Sequence, residues 1–222
     1  GVLSTVLSQQ LDPYYLSPLW VDTIAFAAMQ ARTLLESGRI TEAQMAEVVV
    51  KSRAAAKNNP KAQLSGDFTV EQLLAEPMYQ NPLRLHDCCP ISDGACAMII
   101  CTVEKAKEWA VPYALIKGID HRIESHHIGL RDLSRLESVE ISAKALNVHA
   151  KPVDVQFLYA PFSHQELMLT EALGLTDSTE VNPSGGVLAG NLMMASGLSR
   201  IGEVADRIIA GKASRGVAHA TS

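Results

Sequence analysis

The sequence lacks several features that would assign the protein to a class at once. Aromatic residues make up 5% of the 222 residues, and no apolar run approaches the roughly 20 residues that a membrane-spanning helix requires. There is no basic stripe and the formal net charge is −5, so nucleic acid is not expected as a partner. Hydrophobic residues at 47% and charged residues at 19% are typical of a globular domain rather than of a disordered chain.

The chain has only four cysteines, and their distribution argues against a disulfide framework and against a zinc site. All four cysteines lie between positions 88 and 101, whereas a disulfide framework spreads them along the chain and a zinc site uses spaced C-x-x-C pairs. We therefore expect reduced thiols in a cytoplasmic protein and no metal site. Cys88 and Cys89 lie beside Pro90 without an obvious activating base, so they are interpreted as buried or idle thiols.

The first 80 residues carry helical patterns, and the rest of the chain alternates between strands and helices. Apolar residues recur at helical spacing over residues 19–37, Gly38 ends this helix, and capping-box pairs begin two more helices at Thr41 and Thr69. The apolar run at 95–102 predicts a strand buried on both faces. Further strands are predicted at 113–125, 154–162 and 216–222. Their alternation with helical patterns predicts an α/β layered architecture.

The first candidate site follows the predicted strand at 154–162. Tyr159 lies where this strand gives way to a helix that begins at Ser163, with Glu166 as its capping-box partner. Ligands bind at this edge of open α/β sheets, so Tyr159 is a candidate catalytic residue, with an ordinary boundary tyrosine as the alternative. His164 falls in the first helical turn, where a neutral imidazole is favoured, and is either a site residue or a solvated surface histidine.

A second candidate site is the double glycine within Asn182–Gly186, which is predicted to lead into a helix ending near residue 208. Glycines let another backbone or a ligand come close, and the free N–H groups of a first helical turn can bind an anion or a developing oxyanion. A turn required only by packing is the alternative. The residues assigned to substrate or oxyanion binding are Ser184, Gly185, Gly186 and Gly190.

Two other polar stretches are interpreted as structural. The turn around Asp87 and residues 92–94 is expected to bond its aspartate side chains to backbone N–H groups. The histidines at 121, 126 and 127, with Glu124, lack an i, i+4 ligand pattern, so metal binding is not expected there.

Four stretches taken together resemble one family. They are LHDCCPISDGACAMII, DHRIESHHIGLRDL, LYAPFSHQELMLTEALGL and NPSGGVLAGNLMMASGL. The set is similar to the thiolase superfamily, in particular to its sterol-carrier-protein and lipid-transfer branch. The resemblance implies a partial thiolase-like layered α/β fold with a helical loop domain. It also implies a loop domain at 1–82, the end of an N-terminal half at 83–111 and a C-terminal half at 112–222.

The chain departs from this family at two catalytic positions. Tyr159 begins a tetrapeptide that starts with Asn or His in the family, and Asn191 replaces the histidine of a Gly-His-Pro motif. That histidine activates the nucleophile and helps to form an oxyanion hole, whereas Asn191 can donate a hydrogen bond but cannot accept a proton at neutral pH. The resemblance places the family's two catalytic cysteines outside these 222 residues. Tyr159, His164 and Asn191 are therefore the expected catalytic residues of this chain.

Three functions remain open at this stage. The first is acyl transfer on a CoA thioester, with C–C bond formation or cleavage in lipid or steroid side-chain metabolism. The second is retro-aldol cleavage of a β-hydroxyacyl-CoA, with Tyr159 as acid/base if its neighbours lower its pKa and with a small OB-fold protein as partner. The third is a non-catalytic subunit that binds acyl-CoA. The resemblance also implies a homodimer and a CoA thioester as substrate, and no bound cofactor is expected.

Overall fold

The structure is a computed structural model that describes residues 9, 12–19, 21–125, 127–176 and 178–221. Residues 1–8, 10 and 11 of the predicted loop domain, Trp20 of its predicted first helix and Ser222 of the predicted last strand lie outside the described residues. The first part contains three helices, α1 (Thr23–Glu36), α2 (Glu42–Ala56) and α3 (Val70–Leu74). An antiparallel hairpin of β1 (Met78–Gln80) and β2 (Leu83–Arg84) follows them.

The second part alternates helices with parallel strands. Its helices are α4 (Val103–Trp109), α5 (Glu137–Ala145), α6 (Ser163–Ala172), α7 (Gly186–Ala189) and α8 (Ser196–Ile209). Its strands are β3 (Val155–Phe157), β4 (Glu180–Val181) and β5 (Gly216–Ala218), which form one parallel sheet in the order β4-β3-β5. This arrangement confirms the predicted α/β fold. No helix among the described residues combines the length and apolar character needed to cross a membrane.

The helix boundaries of the first part follow the predicted capping chemistry. Thr41 and Thr69 each accept a hydrogen bond from the backbone N–H three residues on, and Gln44 and Gln72 bond back to the cap residue. Gly38 follows the end of α1 with a φ of +71°, a left-handed conformation that glycine adopts without steric cost. Both capping boxes and the glycine stop are therefore confirmed.

The central strand β3 is covered on both faces. Val155 and Phe157 pack with Val204 of α8 on one face. Gln156 alternates to the other face and is also fully buried, and Leu158, the next residue after the strand, packs with a cluster that includes Leu169 of α6. A parallel strand with helices on both sides is buried in this way, and it places the end of β3 between two helical layers.

Two predicted strands are wrong. Residues 95–102 and 113–125 form no strand in the structure, and Ile99 and Ile100 are 82% and 71% exposed rather than buried. A strand requires a neighbour that completes its hydrogen-bond ladder, and among the described residues none pairs with either segment. An apolar run shows a tendency toward burial but does not supply that neighbour.

The predicted capping box at the start of α6 is also wrong. Phe162 is the N-cap, and the Ser163 hydroxyl donates instead to the buried carboxylate of Asp87, at 2.5 Å. Glu166 does not turn back to the cap, because its buried carboxyl group accepts a hydrogen bond from Asn182 at 2.6 Å. Both side chains therefore join α6 to other elements.

The double glycine does not begin the long helix that was predicted. It leads into the four-residue helix α7, and α8 begins separately at Ser196. Gly185 has a φ of +97°, and a Cβ there would lie 2.7 Å from Ala189 Cβ and 2.8 Å from Ala56 Cβ. Gly186 has a φ of +64° and lies against the Asn182 side chain. Close packing against α2 therefore requires glycine at this turn.

We expect Gly185→Ala to destabilise the fold by about 2–4 kcal/mol, because strain at positive φ adds to steric overlap. The matched control is Gly38→Ala, which shares the positive φ but has no atom within 4 Å of the new Cβ. The control should lose only about 1–2 kcal/mol. Chemical denaturation measures both changes, and equal losses would contradict the proposed overlap at Gly185.

Candidate functional site

Three side chains from distant parts of the sequence meet beyond the end of β3. Tyr159 lies two residues after that strand, and its backbone N–H donates to the carbonyl of His219, at 3.2 Å. Cys89 is held by its own N–H, which donates to the Pro161 carbonyl at 2.8 Å. Asn191 follows α7, and its side-chain Nδ2 lies 3.1 Å from Cys89 Sγ. The Asn191 side chain also hydrogen-bonds with Tyr159, so the three side chains form one cluster.

Burial makes the two ionisable groups of this cluster more difficult to ionise. Desolvation raises the pKa of the Tyr159 phenol above its ordinary value, and a hydrogen bond with Asn191 only partly opposes this. Desolvation likewise raises the pKa of the Cys89 thiol, again partly opposed by Asn191. At neutral pH the cluster therefore presents a phenol, a thiol and a carboxamide, all uncharged and all able to donate a hydrogen bond.

This electrostatic environment corrects one condition of the retro-aldol hypothesis. That hypothesis requires neighbours that lower the pKa of Tyr159, and the structure instead raises it through burial. The phenol therefore remains protonated at neutral pH and can give a proton rather than take one. The pKa of the Cys88 thiol, next to Cys89 in the sequence, is also raised, to about 12. Burial is the larger cause, and the negative charge of the nearby Asp87 is the second.

His164 occupies the core rather than the cluster. Its side chain is 0% exposed, and its Nε2 lies 3.2 Å from Gln30 Oε1 of α1. The surface-histidine alternative is therefore wrong. Burial lowers the pKa of His164 to about 3, so the imidazole is neutral as expected, although burial rather than the helix N-terminus is the cause. A catalytic role for His164 stays a prediction, and its described hydrogen bond does not connect it to Tyr159.

The four residues predicted to bind substrate or an oxyanion are held mainly by protein contacts. The Ser184 hydroxyl donates to Glu203 of α8, and the Gly185 carbonyl accepts from Ser52 of α2 at 2.5 Å. Gly186 is buried with the rest of α7. Gly190 has the most open surroundings, since a Cβ there would lie 3.7 Å or more from Gln63 and Ser92. Their role in oxyanion binding stays a prediction, and packing accounts for Gly185 and Gly186.

Sequence reasoning missed Cys89 as a member of the site. The thiol was interpreted as buried or idle, and its contact with Asn191 joins residues that are 102 positions apart. No pattern of neighbouring residues in the sequence predicts a contact over that distance. His126, one of the histidines weighed for metal binding, lies outside the described residues. Among the residues that the structure describes, no group of three or more potential metal ligands occurs.

The buried His164 should make stability sensitive to mild acid. The unfolded chain takes up a proton at a pKa of 6.5 and the folded chain only at about 3, so stability falls as the pH drops below 6.5. Between pH 7 and 5 this group should account for about 2 kcal/mol of lost stability.

We expect His164→Gln to remove that part of the loss, whatever its effect at pH 7. The comparison is His149→Gln, at an exposed histidine, which should keep the wild-type dependence. Denaturant unfolding at the two pH values measures the difference, and an unchanged dependence in His164→Gln would show that this imidazole is not neutral in the fold.

The comparisons with known proteins find acetyl-CoA acetyltransferases and a steroid side-chain-cleaving aldolase among the relatives of this chain. No family model matches the chain. An acetyl-CoA acetyltransferase of Methanothermobacter thermautotrophicus is 33% identical over 204 residues, which cover 81% of this chain and 52% of the relative. A steroid side-chain-cleaving aldolase of Thermomonospora curvata is 34% identical over 106 residues, covering 47% of this chain and 27% of the relative.

The fold has a counterpart among solved structures. An "Ltp2-ChsH2(DUF35) aldolase" chain superposes with a TM-score of 0.65 at 21% identity, covering 95% of this chain and 60% of the other. This chain spans about half the length of the acetyltransferase that it matches. The predicted resemblance is therefore confirmed by sequence and by fold: the chain is a thiolase-like α/β protein.

Proposed function

We propose that the protein carrying this chain makes or breaks a C–C bond next to the carbonyl group of an acyl-CoA thioester. The observation that carries the proposal is the Asn191 carboxamide, whose NH₂ group faces the Cys89 thiol beside Tyr159. The NH₂ group also contacts the Met193 sulfur at 3.6 Å, and Asn191 hydrogen-bonds with Tyr159. Sulfur is a weak hydrogen-bond acceptor, so a stronger acceptor can displace the contacts to the two sulfur atoms. A thioester oxygen that gains negative charge is such an acceptor.

Acyl transfer and retro-aldol cleavage share the charge that this cluster would stabilise. In a retro-aldol step, a base outside this cluster takes the β-hydroxyl proton, a C=O bond forms at Cβ as the Cα–Cβ bond breaks, and the electron pair of the broken bond forms an enolate whose charge lies mainly on the thioester oxygen. The Asn191 N–H donates to that oxygen. The protonated Tyr159 phenol then gives its proton to Cα, which yields the shortened acyl-CoA beside a carbonyl product, and the proton taken by the base returns to the phenolate through water. Fixed donors that meet developing charge in a partly buried site are an efficient form of stabilisation.

Retro-aldol cleavage is the first candidate because it uses the protonated phenol of Tyr159, which lies among the described residues. Acyl transfer requires a thiolate nucleophile, and because burial raises the pKa of both Cys88 and Cys89, a cysteine outside these residues would have to supply it. Retro-aldol cleavage requires no thiolate. It is also consistent with the similarity to a steroid side-chain-cleaving aldolase. Acyl transfer is the second candidate, because the similarity to an acetyl-CoA acetyltransferase covers more of the chain.

Co-substrate use separates the two reactions in the full-length protein. Thiolytic acyl transfer consumes free CoA together with a 3-oxoacyl-CoA, whereas retro-aldol cleavage acts on a 3-hydroxyacyl-CoA alone. If calorimetry shows that an acyl-CoA binds while chromatography shows no turnover of either substrate, the protein is instead a binding subunit.

For the retro-aldol reaction, Tyr159→Phe should lower kcat by about 10²-fold or more, because proton transfer by a positioned side chain contributes on that scale. The matched control is Tyr79→Phe, which removes the hydroxyl from an exposed tyrosine on β1 and should leave kcat unchanged. Release of the shortened acyl-CoA, followed by chromatography, measures both. Full activity in Tyr159→Phe would exclude the phenol as the proton donor.

Asn191→Leu should lower kcat by about 10²–10³-fold with a smaller change in KM, because an oxyanion donor acts most strongly in the transition state. Asn58→Leu provides the control at an exposed asparagine near the end of α2. The same assay applies to either reaction. A rise in KM with unchanged kcat would mean that Asn191 binds the ground state and the transition state equally and does not accelerate the chemical step.

A further inference from the structure

The orientation of the Asn191 carboxamide is fixed by two hydrogen bonds to its oxygen. Oδ1 accepts from the Met193 backbone N–H at 3.1 Å and from the Ser196 hydroxyl at 3.0 Å. A carbonyl oxygen has two lone pairs, and both are used here. The NH₂ group must therefore point the other way, toward Cys89 Sγ at 3.1 Å. Rotating the amide by half a turn would break both bonds to Oδ1.

Each of these two donors has an unusual setting. Met193 adopts a φ of +51°, in the left-handed region that residues other than glycine rarely enter. Its N–H bonds to a side chain two residues earlier, as in an Asx turn. Ser196 is the first residue of α8 and is 1% exposed, so its hydroxyl has little access to water.

The backbone of Asn191 is held independently of its side chain. Its N–H donates to the Ser92 hydroxyl at 3.1 Å, and its carbonyl accepts from the Ser92 N–H at 2.9 Å. The Ser92 hydroxyl in turn donates to Gln63 at 2.5 Å. Because the main chain is fixed on this side, rotation of the amide is the main freedom that remains to Asn191.

We propose that Ser196 and the left-handed backbone at Met193 are positioning groups, which direct the Asn191 NH₂ group into the space shared by Cys89 and Tyr159. The catalytic consequence rests on the function proposed above, because only a reacting thioester would use the directed N–H. The positioning itself requires no substrate. Cys89 reports on it directly, since an N–H donor favours the thiolate and a carbonyl oxygen turned toward the sulfur disfavours it.

The test measures the rate at which iodoacetamide alkylates Cys89 in the folded full-length protein as a function of pH, with mass spectrometry of peptides to assign alkylation to individual cysteines. Asn191→Leu should slow alkylation of Cys89, because no N–H donor then favours the thiolate, and it sets the rate when the donor is absent. Ser196→Ala should also slow alkylation of Cys89, by roughly three- to tenfold at mildly alkaline pH. Ser196→Thr keeps the hydroxyl and should retain the wild-type rate.

A second pair of variants tests the backbone conformation. Met193→Val places a β-branched residue at positive φ, which is strongly disfavoured, and should slow alkylation of Cys89 as Ser196→Ala does. Met193→Gly accepts the left-handed conformation and should not slow it. Both variants remove the Met193 thioether and its 3.6 Å contact with the Asn191 NH₂ group, so the difference between them does not depend on that contact.

Cys88 distinguishes positioning from a general loss of structure. It neighbours Cys89 and contacts the Arg84 carbonyl rather than Asn191. Loosening of the fold would speed alkylation of both thiols, whereas a turned amide slows Cys89 alone. The proposal is overturned if Asn191→Leu slows Cys89 while Ser196→Ala and Met193→Val do not, or if those variants speed both thiols. A slowed Cys89 in a protein that turns over no acyl-CoA would support the positioning and count against the proposed reaction.

Discussion

The arrangement of the candidate site depends on the side chain of one buried asparagine. Asn182 accepts a hydrogen bond from the Leu158 N–H at 2.7 Å and donates to Glu166 at 2.6 Å, while its own N–H donates to Gln156 at 2.9 Å. It therefore joins the end of β3, helix α6 and the segment after β4. Burial raises the pKa of Glu166, so the Asn182 donor compensates a carboxyl group that has no access to water. Without this amide, polar groups on two elements would lose their partners in the core.

This constraint determines where the later residues lie. After Asn182 the chain turns through Gly185, whose close contact with α2 fixes the path of α7. Asn191 follows α7 and meets the turn at Ser92 through two backbone hydrogen bonds. That turn begins just after Cys89, whose N–H is tied to the chain beyond β3. Tyr159 and Asn191 are thus brought together by core contacts on three elements, and none of those contacts belongs to the reacting groups themselves.

Local chemistry could be predicted from the sequence, and contacts between distant segments could not. The capping boxes at Thr41 and Thr69 depend on residues three positions apart, so the sequence contains all the information that they require. Ser163 carries the same pattern, but Asp87 competes for its hydroxyl from 76 positions away. The apolar run at 95–102 predicts a buried strand only if a neighbouring strand is present. For the site, the edge position of Tyr159 could be inferred, whereas the Cys89–Asn191 contact depends on the whole path of the chain.

A site with Asn191 where the family resemblance implies an imidazole has different requirements for its surroundings. A thiolate–imidazole pair carries charge that acts strongly even when water is near, whereas a phenol, a thiol and a carboxamide act only as dipoles. Water competes with dipolar donors for the same oxygen, so their effect grows as water is excluded and the effective dielectric constant falls. The burial that raises the pKa of Tyr159 and Cys89 is therefore a condition for such donors to act. A site of this kind gains more from a rigid, dry environment than from reactive side chains, which is consistent with an Asn191 amide held by two donors.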